Sequence, residues 1–172
     1  MKRWALALAV LVIAVGSVVL WRISYSPVPL SAQPWPTTSP LPDPTRMSVV
    51  LPPEAVSAVR RLCSRASPGP IEAAWLPSAS DVQGLESCLD RLESLLQPGQ
   101  PPILSPKRYY RQYVGVVIGG KHLIYINAVS GWVPPDNFEG VLTRVCDGGQ
   151  SAWGALYDPG NGAISDVQIN GT

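Results

Sequence analysis

Histidine is almost missing from this chain: His122 is the only one among 172 residues. That excludes metal centres built on histidine pairs and any mechanism that needs two imidazoles. No Cys-x-x-Cys spacing occurs, which argues against a zinc knuckle or a dithiol redox motif. Charge is sparse and balanced, 13 basic against 12 acidic residues, a formal net charge of +1. Neither sign gathers into a block, so the basic stripe that tracks a phosphate backbone is lacking and no nucleic-acid partner is expected. No cofactor-binding signature is legible either, and none is expected.

What the chain does have is a long apolar run and a crowd of prolines. From Trp4 to Trp21 there are 18 consecutive residues without a charge, diluted only by Gly16 and Ser17. As a helix this run would reach roughly 27 Å, close to the ~30 Å thickness of a hydrocarbon core. Trp4 and Trp21 mark its ends, where indole rings favour the headgroup level. Lys2 and Arg3 outweigh Arg22, so the positive-inside rule keeps the N-terminus cytoplasmic and sends the remainder across. The expectation is a membrane contact through residues 4–21 within an anchor of residues 1–25: single-pass in a bacterial inner membrane, with the C-terminal domain in the periplasm. The competing reading is secretion after signal cleavage near Val15-Gly16-Ser17. The apolar run continues past that site and is longer than the ~7–15 residues of a signal core.

Between Ser26 and Pro53 lie nine prolines. Proline removes a backbone donor and fixes φ, so residues 26–53 read as an extended spacer, partly polyproline II. Residues 54–172 read as one globular domain. Helical spacing of Val56, Val59, Leu62 and Cys63 predicts a helix to about Arg65, stopped by Ser67-Pro68-Gly69-Pro70. Ile71 to Leu76 fits a short strand or a turn equally well. Ser80 opens a capping-box pattern, after which Val82, Leu85, Leu89, Leu92 and Leu96 recur at helical spacing until Pro98-Gly99.

The period then changes to two. Tyr113–Ile118 and Lys121–Ala128, joined by Gly119-Gly120, carry the signal of a hairpin. Further strands are predicted at Leu142–Cys146, Ser151–Tyr157 and Ile164–Ile169. Helices first and strands afterwards predict an α+β fold: one or two helices packed on an antiparallel β-meander of four to five strands, behind a transmembrane helix and a Pro-rich linker.

Tyr110-Arg111-Gln112-Tyr113-Val114-Gly115, Ile124-Tyr125-Ile126-Asn127-Ala128, Val145-Cys146-Asp147-Gly148-Gly149, Trp153-Gly154 and Tyr157-Asp158 follow one another in that order. Together they resemble a family of small uncharacterised bacterial envelope proteins that carry a signal or membrane segment. The likeness covers about Ser80 to Thr172. It implies an envelope location and a helix-plus-sheet outline, and it transfers no catalytic residue.

Three cysteines cannot all pair, so an oxidising compartment predicts one disulfide and one thiol. Cys63 and Cys88, on the apolar sides of two predicted helices, are the preferred pair, a closure that contributes roughly 3 kcal/mol in the chain-entropy picture. Cys146 can replace either partner, and three buried thiols are the alternative. Tyr109, Tyr110 and Tyr113, with Asp147 at the Asp147-Gly148-Gly149 turn, form a candidate binding surface for an envelope protein or a glycan. Trp153 is assigned to the core. Asp147-Gly148-Gly149 could form an anion-binding nest, although a tight turn explains the same glycines.

Asp136, Asp147, Asp158 and Asp166 each fall near a turn, where aspartate bonds its own backbone. The functional expectation is a membrane-anchored periplasmic protein acting as a non-catalytic binding or assembly module. The alternative is a small envelope hydrolase using Cys146 or an aspartate with His122.

Overall fold

A computed structural model describes residues 48–131 and 135–171. The anchor expected over residues 1–25 lies outside the described residues, as does the spacer up to Met47. Among the described residues no helix is long and apolar enough to cross a membrane.

The protein is mixed α+β, a sheet with two helices. In chain order the elements are β1 (Ser48–Val50), α1 (Val56–Val59), β2 (Ala73–Trp75), α2 (Ala79–Cys88), β3 (Tyr109–Ile118), β4 (Lys121–Ser130), β5 (Ala152–Asp158) and β6 (Ala163–Ile169). Short 3₁₀ turns lead into α1, β3 and β5, and a longer 3₁₀ segment, Leu89–Leu95, continues α2.

Strands β3 to β6 run antiparallel in sequence order, each beside the next. The β-branched and aromatic residues of β3, β4 and β5 suit a pleated surface buried on both sides. The β3–β4 connection pairs Ile118 with Lys121 around Gly119 and Gly120, whose φ values of +59° and +73° only glycine adopts readily. The Glu72 carboxylate accepts from both glycine N–H groups, at 2.9 and 3.1 Å.

The other edge of β3 is shared. β1 runs parallel to residues 111–113 and β2 antiparallel to residues 115–117. Among the described residues the sheet therefore has six strands, one of them parallel, and the folded unit takes in Ser48–Pro53. Proline counting placed those six residues in the spacer; the run Ser48-Val49-Val50-Leu51 between the prolines is apolar enough to join the sheet, and Leu51 N donates to Tyr113 O at 2.8 Å. The undecided segment Ile71 to Leu76 contains a strand. The expected strand Leu142–Cys146 does not form; that stretch is irregular and lies over the sheet.

Helix α2 starts two residues earlier than its sequence pattern suggests. Ser78 is the N-cap: its Oγ accepts from Asp81 N at 3.3 Å while Asp81 Oδ2 accepts from Ser78 N at 2.8 Å. An ionised carboxylate is a stronger acceptor than the Gln83 amide, so Asp81 closes the reciprocal box. These bonds from Ser78 hold the Asp81 carboxyl below its usual pKa. Leu85, Leu89 and Leu92 descend from α2 and its 3₁₀ continuation onto one sheet face. There they meet Tyr109, Tyr113, Ile124, Ile126, Trp153 and Ala155, all without exposed surface. Gly84 lets the helix close on β5, because a Cβ there would stand 2.7 Å from the Tyr157 hydroxyl.

Among the described residues the opposite face has no such helix. Leu51, the single helical turn of α1 through Val59, Ile71 and Leu142 cover Val114, Val116, Tyr125 and Leu156.

Candidate functional site

Strand alternation sorts the polar residues of the sheet into two clusters, one per face. Under α2, Arg111 is 2% exposed. Its Nη2 donates to both Glu86 carboxylate oxygens at 3.2 Å, its Nε to Tyr113 Oη at 3.1 Å, and its Nη1 to Tyr109 O at 2.9 Å. Tyr113 Oη in turn donates to Glu86 Oε1 at 2.6 Å. Burial is the main cause that raises the Tyr113 phenol well above its ordinary value, and the neighbouring Glu86 carboxylate adds to it against the opposing Arg111 charge.

On the loop-covered face the centre is Arg65. Its Nε donates to Tyr125 Oη at 2.9 Å, and its two Nη groups donate to Asn170 Oδ1 and Asn127 Oδ1. Gln112 and Asn127 are direct cross-strand partners. Asn127 Nδ2 donates to Gln112 Oε1 at 3.0 Å and to Thr143 O at 2.9 Å. Gln112 Nε2 donates to Phe138 O at 2.7 Å and Val141 O at 2.8 Å. Asn170 Nδ2 donates to Val145 O and Asp147 O, at 2.8 and 2.9 Å. Three buried amides thus hold five carbonyls of the irregular 138–147 segment, supplying the partners that a strand ladder would otherwise provide. Gly154 makes room for the guanidinium: a Cβ there would stand 2.7 Å from Arg65 Nε.

The same segment is fastened covalently. Cys63 is bonded to Cys146, with Cα atoms 5.3 Å apart, and both residues are exposed. Cys88 is a buried thiol. The expected Cys63–Cys88 pair is therefore corrected. Cys88 faces the core beneath α2, whereas Cys63 follows α1 on the other side of the sheet. A disulfide needs Cα atoms within ~7 Å, and a sheet lies between these two.

Tyr109, Tyr110 and Tyr113 do not form a binding surface. They are 0%, 4% and 0% exposed. Tyr109 and Tyr113 lie under α2, and Tyr110 stands edge-on to Phe138 on the opposite face, ring centres 5.5 Å apart. Tyrosine reads as surface because of its hydroxyl, but here Tyr109 Oη donates to Gln150 O at 2.8 Å, so a buried phenol finds its partner inside. Asp147 is exposed at φ +71° beside Gly148 at +90°. An anion nest does not survive there, because Gly149 N is already spent on Gly171 O at 3.1 Å. Trp153 is fully buried, as its sequence context predicts.

His122 is exposed at the start of β4, its ring edge-on to Trp75 at 5.3 Å. Its imidazole makes no hydrogen bond among the described residues, and Cys146 holds no thiol while the disulfide stands.

Among the described residues, concave surface lies elsewhere, along β6. A groove of about 460 Å³ runs between Leu95, Gln97 and Gln100 on one side and Ile164–Gln168 on the other. A second hollow of about 210 Å³ adjoins it through the shared residues Leu95 and Ile164, and extends to Gly162, Arg91 and Cys88. Together they form one trough following the outer edge of β6. Sequence reasoning missed it, since edge position is a property of topology. The one local signal was Asp166, which sits at φ +50° in a β-bulge opposite the Gly154–Leu156 stretch. Bulges favour sheet edges and functional sites.

No protein-family model, no curated protein and no solved structure matches this chain. The resemblance to small envelope proteins thus rests on its residues alone.

Proposed function

We propose that this chain is a single-pass protein of the bacterial inner membrane, anchored by residues 4–21, whose periplasmic domain binds a partner without catalysing a reaction on it. The apolar run and its flanking charges support the anchor. The exposed Cys63–Cys146 bond supports an oxidising compartment, because reducing cytosol dismantles such bonds. The observation that carries the binding reading is the trough along β6: among the described residues, a concave surface coincides with a strand edge that no neighbouring strand covers.

A hydrolase built on Cys146 and His122 would need the thiol that the disulfide consumes. The aspartate version would need a carboxylate bonded to the imidazole, and the ring's stacking neighbour is Trp75.

The test is photocrosslinking in intact cells, with a photoreactive residue at Ser165 in the trough or at Lys121 on the β3–β4 turn. Discrete adducts from Ser165 alone are expected, and they should persist in a His122→Ala background. Equal labelling from both positions, or none from either, would remove the binding reading.

A further inference from the structure

We propose that the occupant of the trough is an extended polypeptide segment of a partner protein, added to β6 as an antiparallel or parallel strand, with a cationic side chain beside Asp166 and an acidic one toward Arg91. This rests on the binding reading above and names its ligand class.

Four observations carry it. First, the trough follows β6 from Gly162 to Gln168 without interruption, so its shape is that of a missing strand. Second, the outer edge of β6 is nearly unspent. Among the described residues its one bond on that side is a long one, from Gln100 Nε2 to Val167 O at 3.4 Å. Unpaired N–H and C=O groups in a row are a template for main-chain pairing.

Third, the opposite wall is equipped for side chains. Leu95 is a large apolar residue left 37% exposed, and it stands across from Ile164. Gln97 offers a neutral amide, while the Gln100 amide is held by Gln97 N, which donates to its Oε1 at 2.8 Å, and by Val167 O. An incoming strand would rest alternate apolar side chains on Leu95 and Ile164 and turn the others to solvent.

Fourth, the charges at the trough are separated. Arg91 lines the Gly162 end and Asp166 the other half, and neither forms an ion pair among the described residues. An acidic and a basic residue about four positions apart on the ligand would meet both.

The same features weigh against the other occupants. A second copy pairing β6 with β6 about a two-fold axis would centre on Asp166, the middle residue of Ala163–Ile169, and would bring two carboxylates together. A glycan is received best on aromatic faces, and none of the trough's lining side chains is aromatic.

The experiment uses the full chain in detergent micelles and fluorescent peptides of about nine residues. The peptides have alternating apolar positions and an acidic–basic pair at the stated spacing, and binding is read by anisotropy. Methylating alternate backbone nitrogens of the peptide should weaken binding about tenfold or more in one register and leave the other register unaffected, since a strand pairs through one edge only. Arg91→Glu should weaken binding by a similar factor, and a peptide with lysine in place of its acidic residue should restore it. Arg91 is exposed, so that variant keeps its fold.

Indifference to both methylation registers overturns the proposal. So does an absence of peptide binding while Ser165 adducts persist, an outcome that leaves the binding reading standing with a different ligand. Loss of both peptide binding and adducts removes the two together. Concentration-dependent dimerisation that shields Ser165 from labelling would overturn the peptide in favour of a second copy.

Discussion

The two faces of the sheet are closed by different means. Beneath α2 the cover is one regular element: leucines at helical spacing pack on aromatic and aliphatic side chains, with a single ion pair inside. On the other face the cover is mostly irregular chain. Such chain brings unpaired carbonyls and little apolar area, so it cannot hold itself down by burial alone. There the amides of Gln112, Asn127 and Asn170, the Arg65 guanidinium and the Cys63–Cys146 bond act as fasteners. The contrast teaches that a polar cluster in a sheet need not be an active site. In this protein it holds irregular chain against the sheet, where α2 does so on the other face by burial.

The comparison breaks most severely at the disulfide. Replacing Cys63 and Cys146 by serine opens a closure spanning 83 residues, which costs about 4–5 kcal/mol in the chain-entropy account. Denaturant unfolding of the full chain in micelles would measure the loss. Hydrogen exchange should speed up over residues 136–148 and remain slow over Leu85–Leu92. Equal acceleration on both faces would mean the two covers are not separable.

Glu86→Gln tests the helix-covered face in turn. It leaves the buried Arg111 charge without its carboxylate and should cost about 3 kcal/mol. Methionine at both positions should recover much of that loss. Asn127→Ala frees the Thr143 carbonyl and an Arg65 donor on the loop face, for roughly 2 kcal/mol, with exchange rising over the same 136–148 segment.

Smallest near neutrality is the effect of pH. Burial raises the phenols of Tyr109, Tyr113 and Tyr125 above the ordinary value of 10.0. A raised pKa in the folded state means the neutral phenol is favoured there, so its contribution is complete below pH 10 and is lost as pH climbs beyond it. Stability should therefore be flat through neutrality and fall above about pH 10. Tyr113→Phe should make that fall shallower, as read from denaturation midpoints in alkaline buffers.

Much of the helix-covered face was legible in the sequence. Val82, Leu85, Leu89 and Leu92 keep a helical period, the β3–β4 hairpin announces itself through Gly119-Gly120, and Trp153 falls where alternation puts the core. These are local patterns with a fixed repeat. The loop-covered face was illegible because its logic is nonlocal. Cys63 meets Cys146, and Arg65 meets Asn170, only after the chain has crossed the sheet several times. One clue was available. Gln112 and Asn127 are polar residues in the middle of strongly β-forming runs, and such residues are kept in a core only when something satisfies them. The tyrosines misled for the reverse reason, since a hydroxyl that finds an internal carbonyl leaves no mark in sequence. The trough depends on β6 being last in the sheet, which strand order alone determines.

The account turns on where this domain folds. Thiol counting by mass spectrometry decides it: the chain is trapped with an alkylating reagent in whole cells, extracted without reductant, then labelled a second time after denaturation. The predicted result is a full-length species in the membrane fraction with Cys63 and Cys146 joined and one thiol, Cys88, that reacts only on unfolding. Three alkylated cysteines on a chain recovered from the cytosol would contradict it.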